Sequence, residues 1–449
     1  MSYFHSVTLQ RAKCKGCTNC IKRCPTEAIR VREGKAHILE ERCVDCGECI
    51  RICPNQAKVA VTDRLERLEE FRYNVALPAP AFFGQFGRDV DPGQVLGGLI
   101  NLGFDHVVEV ALGADVVTAA IRRYLREHPQ PRPLISSACP TVVRLIQVRF
   151  PSLVDHIIPL HTPMDVAALL ARRQAREQHG LADGDVGTWF ITPCPAKLTA
   201  VRQPVGMTLS EVTGAFSMAE IYGMMLPLLA QAPEGGELQQ ASAHGFGWGR
   251  AGGENQAIGA GALLSVDGIH NVIALLEEVL RDRLGDLDYL ELQACVAGCV
   301  GGSLVAENPF VGRTNLRMLT ERLGATGPGF PEEAAVRLLA EAPQVRGPVE
   351  PRPVMRLDED PARAISKTEQ LERVLESLPG LDCGSCGSPH CRSLAEDIVR
   401  GRAFETDCVF KLREQVHALA AEMLELAHRL PPAMGQRDEG EDGADSNEA

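Results

Sequence analysis

Residues 162–197 read TPMDVAALLARRQAREQHGLADGDVGTWFITPCPAK. The first half, Thr162 to Gln178, places apolar residues at helical spacing. The second half holds a short apolar run, Thr188 to Thr192, of strand length, which stops two residues before Cys194. A helix, a buried strand and then a cysteine is the unit that recurs outward from here. Further strand candidates are Val107 to Val110, Leu134 to Ser136 and Tyr289 to Gln293, and Asp91-Pro92 reads as a helix start running to Gly103. The alternation predicts an α/β core domain over residues 77–325, with parallel sheets covered by helices.

Cysteine placement carries the chemistry. Cys139, Cys194 and Cys295 each follow a strand candidate, and ligands of open α/β sheets bind outside the carboxyl ends of strands. Cys295-Val-Ala-Gly-Cys299 reads as two thiolates one helical turn apart, with Gly301-Gly302 behind them for close backbone approach. Four distant thiolates are therefore expected to meet at one point, enough to hold a four-iron cluster.

In residues 1–60 one motif occurs twice: Cys14, Cys17, Cys20 and Cys24-Pro25, then Cys43, Cys46, Cys49 and Cys53-Pro54. In this run the fourth cysteine ligates the other cluster of a two-cluster ferredoxin. The expected groups are thus Cys14, Cys17, Cys20 and Cys53, and Cys43, Cys46, Cys49 and Cys24. The stretch looks like a bacterial-type ferredoxin domain, a small α+β unit; structural zinc is the alternative metal. His37 to Glu40 reads as a short strand, and residues 61–76 as a connector, polar and helical over 61–74.

Near the other end Cys383, Cys386, Cys391 and Cys408 surround a glycine-containing loop and a helix over Arg392 to Val399. A preceding helix, Thr368 to Leu378, would bury Leu371, Val374, Leu375 and Leu378. This set resembles the four-cysteine iron-sulfur domain of the Rnf complex B subunit, which implies a small helical domain over 362–411 with one more 4Fe-4S cluster. Residues 326–361, rich in Pro and Gly, read as a linker containing one helix. Leu412, Val416, Leu419, Met423, Leu426 and Leu430 are spaced 4, 3, 4, 3, 4, a heptad seam over 412–430 that serves either packing on its own domain or dimerisation and docking of a signalling partner. The acidic residues 431–449 have nothing to bury and read as disordered.

Three segments carry a resemblance to the iron-only, or FeFe, hydrogenases: Ser136-Ser-Ala-Cys139-Pro140, Thr192-Pro-Cys194-Pro-Ala-Lys197 and Gln293-Ala-Cys295-Val-Ala-Gly-Cys299-Val-Gly-Gly302. The resemblance implies an H-cluster, a four-iron cluster joined to a two-iron site with CO, cyanide and dithiolate ligands. It implies that Cys139, Cys194 and Cys295 hold the four-iron part, that Cys299 bridges to the two-iron part and that Lys197 contacts the latter's small ligands. Hydrogen would be ligand or substrate, with maturation proteins and a redox partner or ferredoxin as partners. The chain departs from the pattern at the proton relay: a cysteine position is Ala138, and a glutamate position is Ala200. A positioned acid or base contributes typically ~10²–10⁴-fold, so these departures point to the sensory branch with low turnover. The other readings are an electron-transfer or iron-sulfur assembly protein without the two-iron site, and a fully active hydrogenase with an altered proton path.

The 449 residues, 45% of them hydrophobic, suffice for a large core, and a formal net charge of -13 argues against nucleic-acid binding. The first residues lack a signal-peptide pattern, and no run approaches the ~18 apolar residues of a membrane span. The expectation is a cytoplasmic protein. The glycines at 245–253 and 259–261 lack a P-loop ending and read as points of tight packing or of close approach to a cluster.

Overall fold

The computed structural model describes residues 4–231, 238–324, 330–343 and 346–429. The chain forms two compact units, residues 1–356 and 357–449.

The first unit begins with four short strands, β1 (Val7–Leu9), β2 (Ile29–Arg32), β3 (Lys35–Ile38) and β4 (Lys58–Ala60), paired antiparallel as β1 with β4 and β2 with β3. The strand expected at His37 to Glu40 is therefore shifted toward Lys35, and Glu40–Arg42 is a single 3-10 turn. The helical connector expected over 61–74 is likewise corrected. Only Leu65–Glu70 winds, as a 3-10 helix, and β5 (Tyr73–Pro78) then starts. Tertiary packing overrides local propensity here. Phe71 meets Trp189 edge-on at 5.7 Å, and Asn74 Oδ1 accepts the Trp189 indole N–H at 2.8 Å.

Two separate parallel sheets follow, in keeping with the α/β expectation. β5, β6 (His106–Val107), β8 (Val186–Thr192) and β9 (Gly214–Ser217) lie in the order β6-β5-β8-β9, and β7 (Leu134–Ile135), β10 (Leu263–Asp267) and β11 (Tyr289–Gln293) in the order β10-β11-β7. Helices cover both. The expected strand Val107 to Val110 shrinks to His106–Val107, because the Glu109 carboxylate takes the amides of Gln240 and Ala241 and Val110 already opens the helix Val110–Glu127. The strands at 214–217 and 263–267 had no clear signal. Gly214 lies so close to Trp189 that an added Cβ would stand 2.7 Å from its ring, so packing selects a small residue where β propensity would select a branched one.

Trp189 anchors this core: it is fully buried, stacks on Phe216 at 5.0 Å and lies under the Arg67 guanidinium at 5.1 Å. Truncation of such a residue costs ~3–5 kcal/mol. The expected helix starts hold where side chains cap them. Asp91 accepts from Gly93 N and its amide donates to Gln94, a reciprocal cap on Pro92–Asn101, and Thr162 with Asp165 does the same for Pro163–His179.

The Pro- and Gly-rich stretch read as a linker is largely ordered against the first unit. Its helix Glu332–Ala340 buries Ala335 and Leu338 beside Val116 and Ile121, and Val349 sits among Leu145 and Ile146. Gly347 N donates to Gly206 O at 2.8 Å, and Gln147 Nε2 to Glu350 O at 2.7 Å.

The second unit is small and helical. The helix Pro361–Ser377 starts earlier than expected, capped by Asp360, and packs Leu371, Val374 and Leu375 with Leu378 against Leu394 of the helix Cys391–Val399. The helix Val409–His428 exposes Leu412, Val416, Leu419, Met423 and Leu426, so the seam does not pack on its own unit among the described residues. Leu430 and the acidic tail lie outside the described residues.

Candidate iron-sulfur and central cluster site

β8 and β11 belong to different sheets, yet both deliver a cysteine two residues beyond their last residue to the same place. Cys139, Cys194, Cys295 and Cys299 line one cavity of about 840 Å³, together with Ala138, Lys197, Glu254 and Gln293. Cys139 caps the helix Pro140–Arg149 and Cys194 caps Pro195–Arg202, each with Pro at the first helical position. Helix N-termini favour negative charge, which suits anionic ligands at both places. Cys295 and Cys299 are not one helical turn apart. The Ala297 amide donates to Asp267 Oδ2 at 2.6 Å, Ala297 and Gly298 take left-handed φ of 68° and 92°, and Cys299–Gly301 is a 3-10 turn.

The residues fit an iron-sulfur group. Four soft donors converge on an enclosed space. A Cβ at Gly302 would stand 2.1 Å from Pro193 O, so the loop after Cys299 closes on the loop before Cys194 only because residue 302 is glycine. Gly249 meets Ala81 N in the same way, as expected for the glycines at 245–253. Burial pushes the Cys194 thiol up to about 12, with Cys295 and Cys139 adding to it, and burial also drives Cys299 up. Bound metal relieves this cost by taking the thiolates.

Lys197 is buried, three residues after Cys194, and its Nζ donates to Ala138 O at 2.8 Å. Ala138 offers only a methyl and its backbone to the cavity. Ala200, at the other relay position, lies on a neighbouring cavity of about 400 Å³ that also touches Lys197.

A buried acidic network missed by sequence reasoning borders the cavity. Ser136 Oγ donates to Glu254 at 2.8 Å and Tyr289 OH donates to it at 2.6 Å. Burial pushes the Glu254 carboxyl up, and Glu291 adds to the shift. Glu291 accepts from Gly252 N, Asn255 N, Ser265 Oγ and Gln293 Nε2. Glu254 directly follows Gly252-Gly253, glycines read as points of tight packing or of close approach to a cluster. The acidic residue at the end of that glycine run was the overlooked clue.

In the N-terminal region Cys24, Cys43, Cys46 and Cys49 line a cavity of about 350 Å³. Cys20 feels Cys17, Cys14 and Cys53, with burial as the larger cause of its thiol rising to about 11. The structure thus brings together both interlocked sets. Backbone amides point at sulfurs: Ala28 N to Cys24 Sγ and Ala57 N to Cys53 Sγ, both at 3.2 Å. This domain grips the central one through Asp45, whose carboxylate accepts from Val7 N at 3.1 Å, from Thr199 Oγ1 at 3.0 Å and bonds His5 Nδ1 at 3.0 Å. His5, Cys43 and Asp45 place three donor atoms together, and Cys43 also lines the cavity shared with Cys24, Cys46 and Cys49.

In the second unit Cys408 is buried and Cys386 and Cys391 pack on the same apolar cluster, while Cys383 is exposed. Asp382 Oδ1 receives the Cys391 amide at 2.6 Å. His390 precedes the helix as its N-cap residue.

Comparison with known proteins matches the same three regions. Residues 72–262 match the family model of the iron only hydrogenase large subunit, C-terminal domain. The central domain is thus similar to the iron only hydrogenase large subunit, and matches to iron-sulfur domains lie on either side of it. Residues 6–54 match a 4Fe-4S dicluster domain and 378–410 an Fe-S cluster domain. The chain is 32% identical over 212 residues to the periplasmic Fe hydrogenase large subunit of Nitratidesulfovibrio vulgaris, covering 43% of this chain and 50% of that one. It is 29% identical over 230 residues to iron hydrogenase 1 of Clostridium pasteurianum, covering 44% and 40%. The chain spans about half the length of these curated relatives. The B component of the ion-translocating oxidoreductase complex of Rhodobacter capsulatus is 42% identical over 50 residues, 11% of this chain and 27% of that one. A solved variant of the FeFe-hydrogenase HydA1 from Chlamydomonas reinhardtii shares the fold, with TM-score 0.50 and 16% identity over 63% of this chain and 95% of that one. Among the described residues no helix is long and apolar enough to cross a membrane.

Proposed function

We propose that the chain binds hydrogen at an H-cluster in the central cavity, exchanges electrons through three accessory 4Fe-4S clusters and works as a low-turnover hydrogen sensor in the cytoplasm. The convergence of Cys139, Cys194, Cys295 and Cys299 with Lys197 on one cavity carries this reading. Cys139, Cys194, Cys295 and Cys299 would hold the four-iron part, with Cys299 bridging to the two-iron part. When bound, that two-iron group supplies an open metal position for heterolytic cleavage of hydrogen. The protein's own share is to exclude water and to control protons. Lys197, tethered to Ala138 O, holds a positive charge toward the small anionic ligands. Ala138 cannot accept a proton, and Ala200 leaves the outward step without an acid. Release of protons is therefore the slow event, which suits a receptor better than a bulk producer. A redox or signalling partner would read the state of the clusters, and dedicated maturation proteins would deliver the two-iron group.

Matured protein is expected to show infrared bands of metal-bound CO and cyanide and ~18 irons per chain, from four cubanes and one binuclear site. Absence of the bands after competent maturation would favour the electron-transfer or assembly reading. Ala138→Cys is expected to raise turnover by ~10²-fold or more; an unchanged rate would sink the relay argument. One observation favours an active enzyme with a rerouted proton path instead: Ser136 and Glu254 already form a buried hydrogen-bonded pair on the cavity wall. In that case the native rate is high and Glu254→Gln abolishes it.

A further inference from the structure

The helix Glu48–Arg51 carries Cys49 of the second N-terminal cysteine set, yet its last residue serves the central domain. Arg51 Nη2 donates to Cys295 Sγ at 3.2 Å and to Gly301 O, and Nη1 pairs with Glu48 Oε1. The guanidinium is thus fixed on both prongs, with one prong on a sulfur of the central cavity. The fit around it is close. An added Cβ at Gly47 would stand 2.2 Å from Ser303 Oγ and 3.5 Å from Pro195, so the loop between Cys46 and Cys49 seats directly on the segments that follow Cys299 and Cys194.

We propose that Arg51 is a positioning residue that sets the reduction potential of the central four-iron cluster through its charged hydrogen bond to Cys295. This rests on the central cluster reading above. Adding an electron makes a thiolate-bound cluster more negative, and hydrogen bonds to its sulfurs together with local charge tune the potential. A guanidinium remains protonated at any physiological pH and is less strongly hydrated than an ammonium, so Arg51 keeps donating although it is exposed. Its bond to Cys295 therefore stabilises the reduced cluster and draws an electron from the neighbouring cysteine set inward. The residue acts through Cys295 and contacts no substrate.

The test uses the full chain with its cubane clusters reconstituted and no two-iron group, titrated with dithionite while electron paramagnetic resonance is recorded. The signal that disappears in Cys194→Ser is that of the central cluster. In Arg51→Leu that signal is expected at lower potential, its one-electron reduction constant about tenfold smaller, ~59 mV, with iron content unchanged. Arg51→Lys is expected to recover part of the shift, because it restores charge without the two-pronged geometry. A Cys194-dependent signal at the native potential in Arg51→Leu, or in Arg51→Lys should the leucine variant not fold, overturns the proposal while leaving the cluster reading intact. No Cys194-dependent signal in the native chain overturns both.

Discussion

The central domain and the C-terminal unit both gather four cysteines, by opposite means. In the centre the sulfurs come from positions 139, 194, 295 and 299, carried by two sheets and several helices, and they meet inside a cavity wrapped by buried side chains. In the C-terminal unit, Cys383, Cys386 and Cys391 lie within nine residues of one another, Cys383 is exposed, and the helix after Cys408 turns its apolar side to solvent. The first arrangement would shield a bound group from water, which strengthens every charge interaction around it. The second suits an electron port or contact surface, where access matters more than exclusion.

The sharpest way to break this comparison is to remove one sulfur from each. Cys194→Ser is expected to lose the central cubane with its attached binuclear site, about 6 of ~18 irons, and every CO and cyanide band. Cys386→Ser should lose about 4 irons and leave those bands in place. Loss of the bands in both variants would show that the two sites are not independent.

A smaller effect tests the burial of the central domain. Burial drives the Glu109 carboxyl from 4.5 up to about 7, against the two backbone amides it accepts. Its Oε1 is buried without a hydrogen-bond partner among the described residues, where a protonated acid is the cheaper form. The native state then keeps a proton between pH ~4.5 and ~7 that the unfolded chain releases. Its contribution is fully present below 4.5 and falls as pH rises through that window, by about 1.4 kcal/mol per pH unit. Asp115, also raised by burial, adds a slope of the same sign. Denaturant melts of Glu109→Gln across pH 4.5–7 should show a flatter profile; an unaltered slope would remove Glu109 from the account.

The smallest effect concerns the exposed helix. In heptad terms Val409, Val416 and Met423 occupy a positions and Leu412, Leu419 and Leu426 occupy d positions, a pattern that favours two parallel strands. The occupant this favours is a second copy of the chain. Val416→Asp with Met423→Asp is expected to shift a weak dimer to monomer in sedimentation, with cluster content unchanged; a native chain that is monomeric at every concentration would refute it.

Legibility followed sequence distance. Motifs whose members sit within a few residues, such as the doubled N-terminal run and the Cys383 loop, could be grouped by spacing, because short loops constrain their sulfurs directly. The helix cap at Asp91 was equally plain, since capping is a contact between near neighbours. The polar residues around the central cavity were not. Glu254 reaches Ser136 across 118 positions, and Arg51 reaches Cys295 across 244. Neither pairing leaves a periodic or local trace.

Residue order alone sets which atoms are available: sixteen cysteine sulfurs in three sets, an α/β pattern to carry four of them, and alanine at positions 138 and 200. Folding adds that strands of two different sheets present the central set, that Ala297 and Gly298 bend left-handed between two of its members, and that an arginine from the N-terminal domain touches a central sulfur. The reason is physical. Ligand identity and local turns depend on short-range chemistry, whereas a shared cavity depends on long-range packing, which the side chains of the whole core settle together.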